Sequence, residues 1–336
     1  MRVLIVTSPN EKCGIREHSE MLMESLPGES LTNLVHQRSP SDLVEILKKG
    51  LRGDIVHIDH HAALHAAWTP EVCDDLRFEG IKVVLTQHDT YESLGIMTSR
   101  GLHNFSESAD ALIVHESVKG LTDQGYPNVY QWRQPVPDLP LALPTSIKFR
   151  GETIVEQQYV PGQFTPNHVP EDWPNPAGYA KPLNDPPVVG TVGFDFPWKG
   201  FELLEQCADK AGWKTRIFGG AEKWLPRDEL LRELRKCDAT AFLYSTGNSG
   251  TSAAIRMGIA ARRPVIAMSN CRQFRDLAFS PGILWATDAH HVTSWLESLK
   301  WKFRAVQTGR VEELADMDSW TNAGKRYAAL YRRLLR

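Results

Sequence analysis

Four small polar residues in a row, Ser249-Gly250-Thr251-Ser252, stand where an apolar helical stretch begins. Their amide hydrogens and hydroxyls can face a phosphate without obstruction by a bulky side chain, and the dipole of the following helix favours negative charge at that end. The same residue types also make an ordinary Ser/Thr cap, so the run by itself allows a diphosphate cradle or a plain helix start. Upstream, the loop Gly193-Phe194-Asp195-Phe196-Pro197-Trp198-Lys199-Gly200 places Lys199 at the start of another helix, where an ammonium group can neutralise a leaving phosphate. A lysine at such a position is often merely solvated; this one gains weight from sharing half of the chain with the Gly250 loop. His88 closes an apolar run, as do the weaker candidates His60, His61 and His115. A packed histidine at a strand end accounts for each of them equally.

These side chains can act together only if the fold gathers them at one edge. The second half of the chain alternates, with strands expected at 188–193, 214–218, 239–244 and 264–268 and helices at 199–211, 226–236 and 251–261. In an open parallel sheet ligands sit beyond the carboxyl ends of the strands. Lys199 and the 249–252 run both follow strands. The first half alternates too: RVLIVT at 2–7, helical spacing through Ile15, Met21, Leu22 and Leu26, a helix at 40–50, and strands at 54–60, 82–88 and 111–115.

Between residues 135 and 187 lie twelve prolines. Proline lacks a backbone donor and fixes φ, so this stretch is not regular throughout, although 145–160 can still add strands to what precedes it. The expectation is an α/β chain of two Rossmann-like, doubly wound domains over 1–185 and 186–317. A helix over 318–336 follows, with an Asp or Ser cap and Trp320, Tyr327, Leu330, Tyr331 and Leu334 on one face.

The composition suits a globular enzyme. The 336 residues exceed one ordinary core, and 42% hydrophobic with 24% charged residues leaves no case for wholesale disorder. No apolar run approaches the roughly 18–20 residues of a membrane span, and MRVLIVTSPNEKCG turns polar too soon for a secretory signal, so a cytoplasmic protein is expected. Cys13, Cys73, Cys207, Cys237 and Cys271 show neither zinc-finger nor disulfide spacing. Residues 1–185 carry 15 basic and 25 acidic groups, and 186–336 carry 23 and 16. The positive half suits an anionic ligand, and the negative half argues against a polyanion lying across it.

Several segments in order resemble the GT-B glycosyltransferases, in particular the retaining family-four type. They are Cys13-Gly14-Ile15, Thr86-Gln87-His88-Asp89, Ala109-Asp110, Pro197-Trp198-Lys199-Gly200, SGTSAAIRMGIAARRPVIA, Gln273-Phe274-Arg275-Asp276-Leu277 and the final Trp-and-Tyr helix. The resemblance implies two domains facing across a cleft, the acceptor held by the first and a nucleotide sugar by the second. It also implies that the last helix crosses back to the first domain. By the same resemblance Lys199 contacts the donor diphosphate, Gly14 lets backbone approach the donor, and His88 hydrogen-bonds a sugar hydroxyl or stabilises developing charge. Gly193, Ser249, Gly250, Thr251 and Ser252 complete the donor set.

Two positions depart from the family pattern. Phe194 stands where an arginine is usual, and Ser249 and Met257 stand near the places of two glutamates. Arg256 offers positive charge beside the second. The implied reaction retains configuration by a front-face route, without a side-chain nucleophile. No convincing Asp-x-Asp loop is present, so no catalytic metal and no cofactor is expected beyond the donor. Rival readings are a transferase acting on hydroxymethylated bases in DNA through Arg16, Arg38, Lys48, Lys49 and Arg52, a nucleotide-sugar-binding module without turnover, and a sugar epimerase.

Overall fold

The computed structural model describes residues 1–8, 13–28, 31–36, 54–61, 67–88, 99–115, 126–138, 184–219, 225–245, 251–278, 280, 282–301 and 304–336. Its strands are β1 (Arg2–Thr7), β2 (Leu31–His36), β3 (Ile55–His60), β4 (Lys82–Gln87), β5 (Ala111–Val114), β6 (Val129–Gln131), β7 (Val188–Val192), β8 (Lys214–Phe218), β9 (Ala239–Phe242), β10 (Val265–Met268) and β11 (Ile283–Ala286). The helices are α1 (Gly14–Ser25), α2 (Pro70–Phe78), α3 (Ser99–Ser108), α4 (Phe201–Ala211), α5 (Arg227–Arg235), α6 (Ala253–Ala260), α7 (Ala289–Trp301), α8 (Arg304–Met317) and α9 (Trp320–Leu334). The helix expected at 40–50 and the strands expected within 145–160 lie outside the described residues. No helix among the described residues is long and apolar enough to cross a membrane.

The chain divides into two compact units, Met1–Pro135 with Asn248–Thr251 and Asp318–Arg336, and Val136–Gly247 with Ser252–Met317. In the first unit the sheet runs β2-β1-β3-β4-β5-β6, all parallel. Parallel strands covered on both faces read as continuous apolar runs, and alternate residues go to opposite sides. Leu4, Val6, Val56, Ile58, Val83 and Leu85 pack under Trp68, Cys73 and Leu76 on one side. Val3, Ile5, Ile55, Val84 and Ile113 pack on the other against Leu22 of α1 and against Trp320, Tyr327, Leu330 and Tyr331 of α9.

The last helix is thus part of the first unit, as the family resemblance implies. Ser319 caps it, its hydroxyl accepting from the Asn322 amide at 3.3 Å. Gly324 permits the contact with α1, because a Cβ there would lie 2.2 Å from the Ser25 carbonyl oxygen.

The second unit carries the parallel sheet β11-β10-β9-β7-β8. Its core runs from Val189, Ala241 and Ile266 in the strands to Leu204, Leu234, Ile255 and Leu296 in the helices, and it includes Val136. Each unit therefore has a strand order that reverses within the sheet, between β1 and β3 in one and between β7 and β9 in the other. Loops leaving such a pair diverge to opposite faces of the sheet and open a crevice at the strands' carboxyl ends.

Candidate functional site

In the second unit the loops after β7 and β9 flank the crevice. The β7 loop ends in a 3-10 turn, Pro197–Lys199, closed by Gly200 in the left-handed region at φ 69°. Gly200 is needed there, since a Cβ would come 2.3 Å from the Leu243 carbonyl at the end of β9. The Ser245 amide completes the join by donating to the Trp198 carbonyl at 2.8 Å. Lys199 and the chain leading toward Ser252 therefore leave the same end of the sheet.

The Lys199 side chain turns inward and is 8% exposed. Its ammonium lies 3.8 Å from the centre of the Tyr244 ring and 4.3 Å from that of Trp198. Burial, partly offset by Cys271, brings its pKa down to about 7. Gly193, at φ 148°, leaves the room that the lysine occupies, for a Cβ there would sit 3.3 Å from Lys199 Cε. Asp195, on the same loop, is exposed.

Ser252 occupies the cap position of α6 but makes no side-chain cap hydrogen bond. Its own amide donates to the Gln273 carbonyl at 3.3 Å. Thr251 is half-buried and belongs with the first unit, while Ser249 and Gly250 lie outside the described residues. Arg256 is 1% exposed and paired with the buried Asp276 carboxylate. Its charge is thus neutralised inside the protein. Met257, near the place of a family glutamate, is buried at 6%.

In the first unit a polar cluster fills the carboxyl ends of β3, β4 and β5. Asp59 at its centre is fully buried and takes hydrogen bonds from Ser19, from His18 Nδ1 at 3.1 Å and from His88 Nε2 at 3.4 Å. Burial alone would raise the Asp59 pKa, but the charge and hydrogen bonds of these histidines hold it well below the usual carboxylate range. His57, packed between Thr86 and Tyr331, is pushed down to about 4, chiefly by burial. His115 Nδ1 donates to the Trp132 carbonyl at 3.0 Å. His60 turns away to Gln87 at 2.8 Å, and His61 is half-buried.

His88 keeps 9% side-chain exposure. Gly14 is exposed at the first position of α1. Arg16 pairs with Glu20 at 2.8 Å; Asp89, Arg38, Lys48, Lys49 and Arg52 lie outside the described residues. Sequence reasoning missed His18, His57 and Asp59. The one available signal was that His57 and Asp59 sit inside a strand otherwise composed for burial, which asks for partners.

No protein-family model and no curated protein matches the chain. Solved structures do match over the whole length. Anabaena HepE, solved in complex with UDP, superposes with a TM-score of 0.60 at 11% identity, covering 99% of this chain and 100% of that one. A glycosyltransferase from Rickettsia africae gives 0.57 at 12%, over 100% and 98%. AviGT4, a glycosyltransferase of avilamycin A biosynthesis, gives 0.53 at 14%, again over 100% and 98%.

The fold is GT-B. Within a GT-B fold both units are Rossmann-like, and the loops around Lys199 belong to the second of them. Identities of this size establish architecture and leave each side chain's role to its own geometry.

Proposed function

We propose that the chain is a glycosyltransferase that takes a sugar from a nucleoside-diphosphate donor bound at the crevice between β7 and β9. The observation that carries this reading is Lys199, a nearly buried amine at the switch point of the second sheet, beside a helix start whose Ser252 makes no side-chain cap hydrogen bond. A diphosphate there would meet a cation and the first amides of α6, with no side chain on Gly193 in the way. HepE was solved with UDP, and a second HepE structure with UDP and glucose. A uridine nucleotide is accordingly the first donor to try.

Transfer proceeds with retention. As the sugar–phosphate bond breaks, negative charge grows on the leaving oxygen, where Lys199 and the fixed amides stabilise it. That oxygen then takes the proton of the attacking acceptor hydroxyl, so no protein nucleophile and no metal is needed for the chemical step. His88, held through Nε2 by Asp59, offers Nδ1 to a sugar hydroxyl. The acceptor is a saccharide or another small hydroxyl compound bound by the first unit, and the reaction takes place in the cytoplasm.

A thermal-shift screen against UDP-, GDP-, ADP- and CMP-linked sugars tests the donor, because a ligand that binds only the folded state raises its melting temperature. Turnover is then followed as release of nucleoside diphosphate. No shift with any nucleotide sugar would remove the reading. A shift without hydrolysis or transfer across a panel of acceptors would favour the second reading, a binding module, which draws on Arg256 being committed to Asp276 and so unable to replace the missing glutamates.

A further inference from the structure

We propose that His18, His88 and His115 form a binding site for a transition-metal ion of the zinc class, supported from behind by Asp59 and the Trp132 carbonyl. One nitrogen from each ring lies within 4.8 Å of the other two. The ring centres are 4.5 Å apart for His18 and His88, 5.3 Å for His88 and His115, and 5.8 Å for His18 and His115.

The outer contacts decide which nitrogens face inward. His18 turns Nδ1, and His88 turns Nε2, to Asp59. His115 turns Nδ1 to the Trp132 carbonyl, which can only accept, so that nitrogen carries the proton. On this arrangement the second nitrogen of each ring, Nε2 of His18, Nδ1 of His88 and Nε2 of His115, is the one that would bind an ion. Nε2 of His18 is buried without a hydrogen-bond partner among the described residues. A buried polar nitrogen such as this one costs free energy unless it is paired, and a bound cation would pair it.

Zinc binds imidazole at about 2.0–2.1 Å, which sets tetrahedral nitrogens roughly 3.4 Å apart. From separations within 4.8 Å the nitrogens therefore need to close by up to about 1.4 Å, a matter of modest χ rotations. Three imidazoles suit zinc, cobalt, nickel or copper and exclude calcium and magnesium, which require oxygen. A carboxylate behind metal-bound histidines orients them and raises their basicity, which is the position Asp59 holds. The site lies wholly in the first unit and does not depend on the transferase reading. His88 Nδ1 can hold an ion or a sugar hydroxyl at one time, so the two compete.

The test is a titration of the chelator-stripped full chain with Zn²⁺ and, separately, Co²⁺, read by bound metal, the visible cobalt spectrum and the melting temperature. The expected result is one equivalent bound, intense cobalt bands of a low-coordinate nitrogen site, and a raised melting temperature. His115→Ala, shown folded by circular dichroism, loses that equivalent. Asp59→Asn keeps it with affinity about 10–100-fold weaker. His291→Ala, which removes a histidine of the second unit, changes nothing. Failure of the folded wild-type chain to bind one equivalent, or equal binding by His115→Ala, overturns the proposal.

Discussion

The ammonium of Lys199 stands over the face of Tyr244, 3.8 Å from its ring centre. Two aromatic faces and the bare backbone at Gly193 hold the amine in a place that water barely reaches. An anion arriving there would meet an amine already positioned and largely desolvated, so little reorganisation remains to be done.

Lys199→Met keeps the aliphatic stem and deletes the charge. The expected outcome is a fall in turnover of about 10²–10³-fold, in line with loss of one preorganised electrostatic contact to a leaving group, with a melting temperature no lower than wild type. Steady-state kinetics beside a thermal melt check both halves. Normal turnover would take Lys199 out of the mechanism.

Donor binding should also consume protons. In the free protein Lys199 has a pKa brought down to about 7 from the ordinary 10.5, and a bound diphosphate restores the charged form. Above pH 7 the apparent donor affinity is therefore expected to fall, by up to about tenfold per pH unit for one linked proton. Calorimetry in buffers of different ionisation enthalpy reads the uptake directly. The stability sign is separate: between about 7 and 10.5 the unfolded chain binds more protons than the folded one at this lysine, so its contribution to stability increases with pH through that window.

Arg256 and Asp276 form a buried pair, and removing either partner alone strands the other. Arg256→Met is expected to cost about 3–5 kcal/mol, and the double change Arg256→Met with Asp276→Leu to recover most of it. Denaturant unfolding of the two singles and the double closes the cycle. A stable Arg256→Met that loses only donor affinity would instead return Arg256 to the donor site.

Gly324→Ala places a methyl group where the Ser25 carbonyl now sits. The helices must part, and a loss of about 1–3 kcal/mol is expected from such overpacking. Limited proteolysis near the C-terminus should quicken in step.

Much of this architecture was legible in the sequence because parallel strands buried on both faces are plain apolar runs. The strands at 2–7, 54–60, 82–88 and 111–115 are found within a residue or so of expectation. The helix expected from 199 instead begins at Phe201, because Gly200 takes a left-handed φ and leaves Lys199 in the turn before it. The strand expected over 239–244 stops at Phe242, where the chain turns to meet the Gly200 loop. Strands β2, β6 and β11 were not read: LTNLVH carries an Asn and a His, VYQ is too short to show alternation, and ILWA is an apolar run equally at home in a helix.

Helix α8 was not read either, since its apolar and polar residues do not segregate to faces. The histidine cluster was invisible for a different reason. His18, His88 and His115 come from one helix and two loop starts far apart in the chain, and only the sheet order brings them to one edge. No spacing rule could have joined them, whereas Lys199 and the Gly250 loop announced themselves by following strands of one sheet.

Because α9 belongs to the first unit, the backbone leaves that unit and later comes home to it. The second unit is a guest inserted between stretches of its host, the chain passing from one unit to the other four times. Severing the chain once between Pro135 and Asn184 would therefore not yield two independent pieces. The longer fragment would still carry the helix that completes its host, and the fragments would travel together until that helix was stripped away.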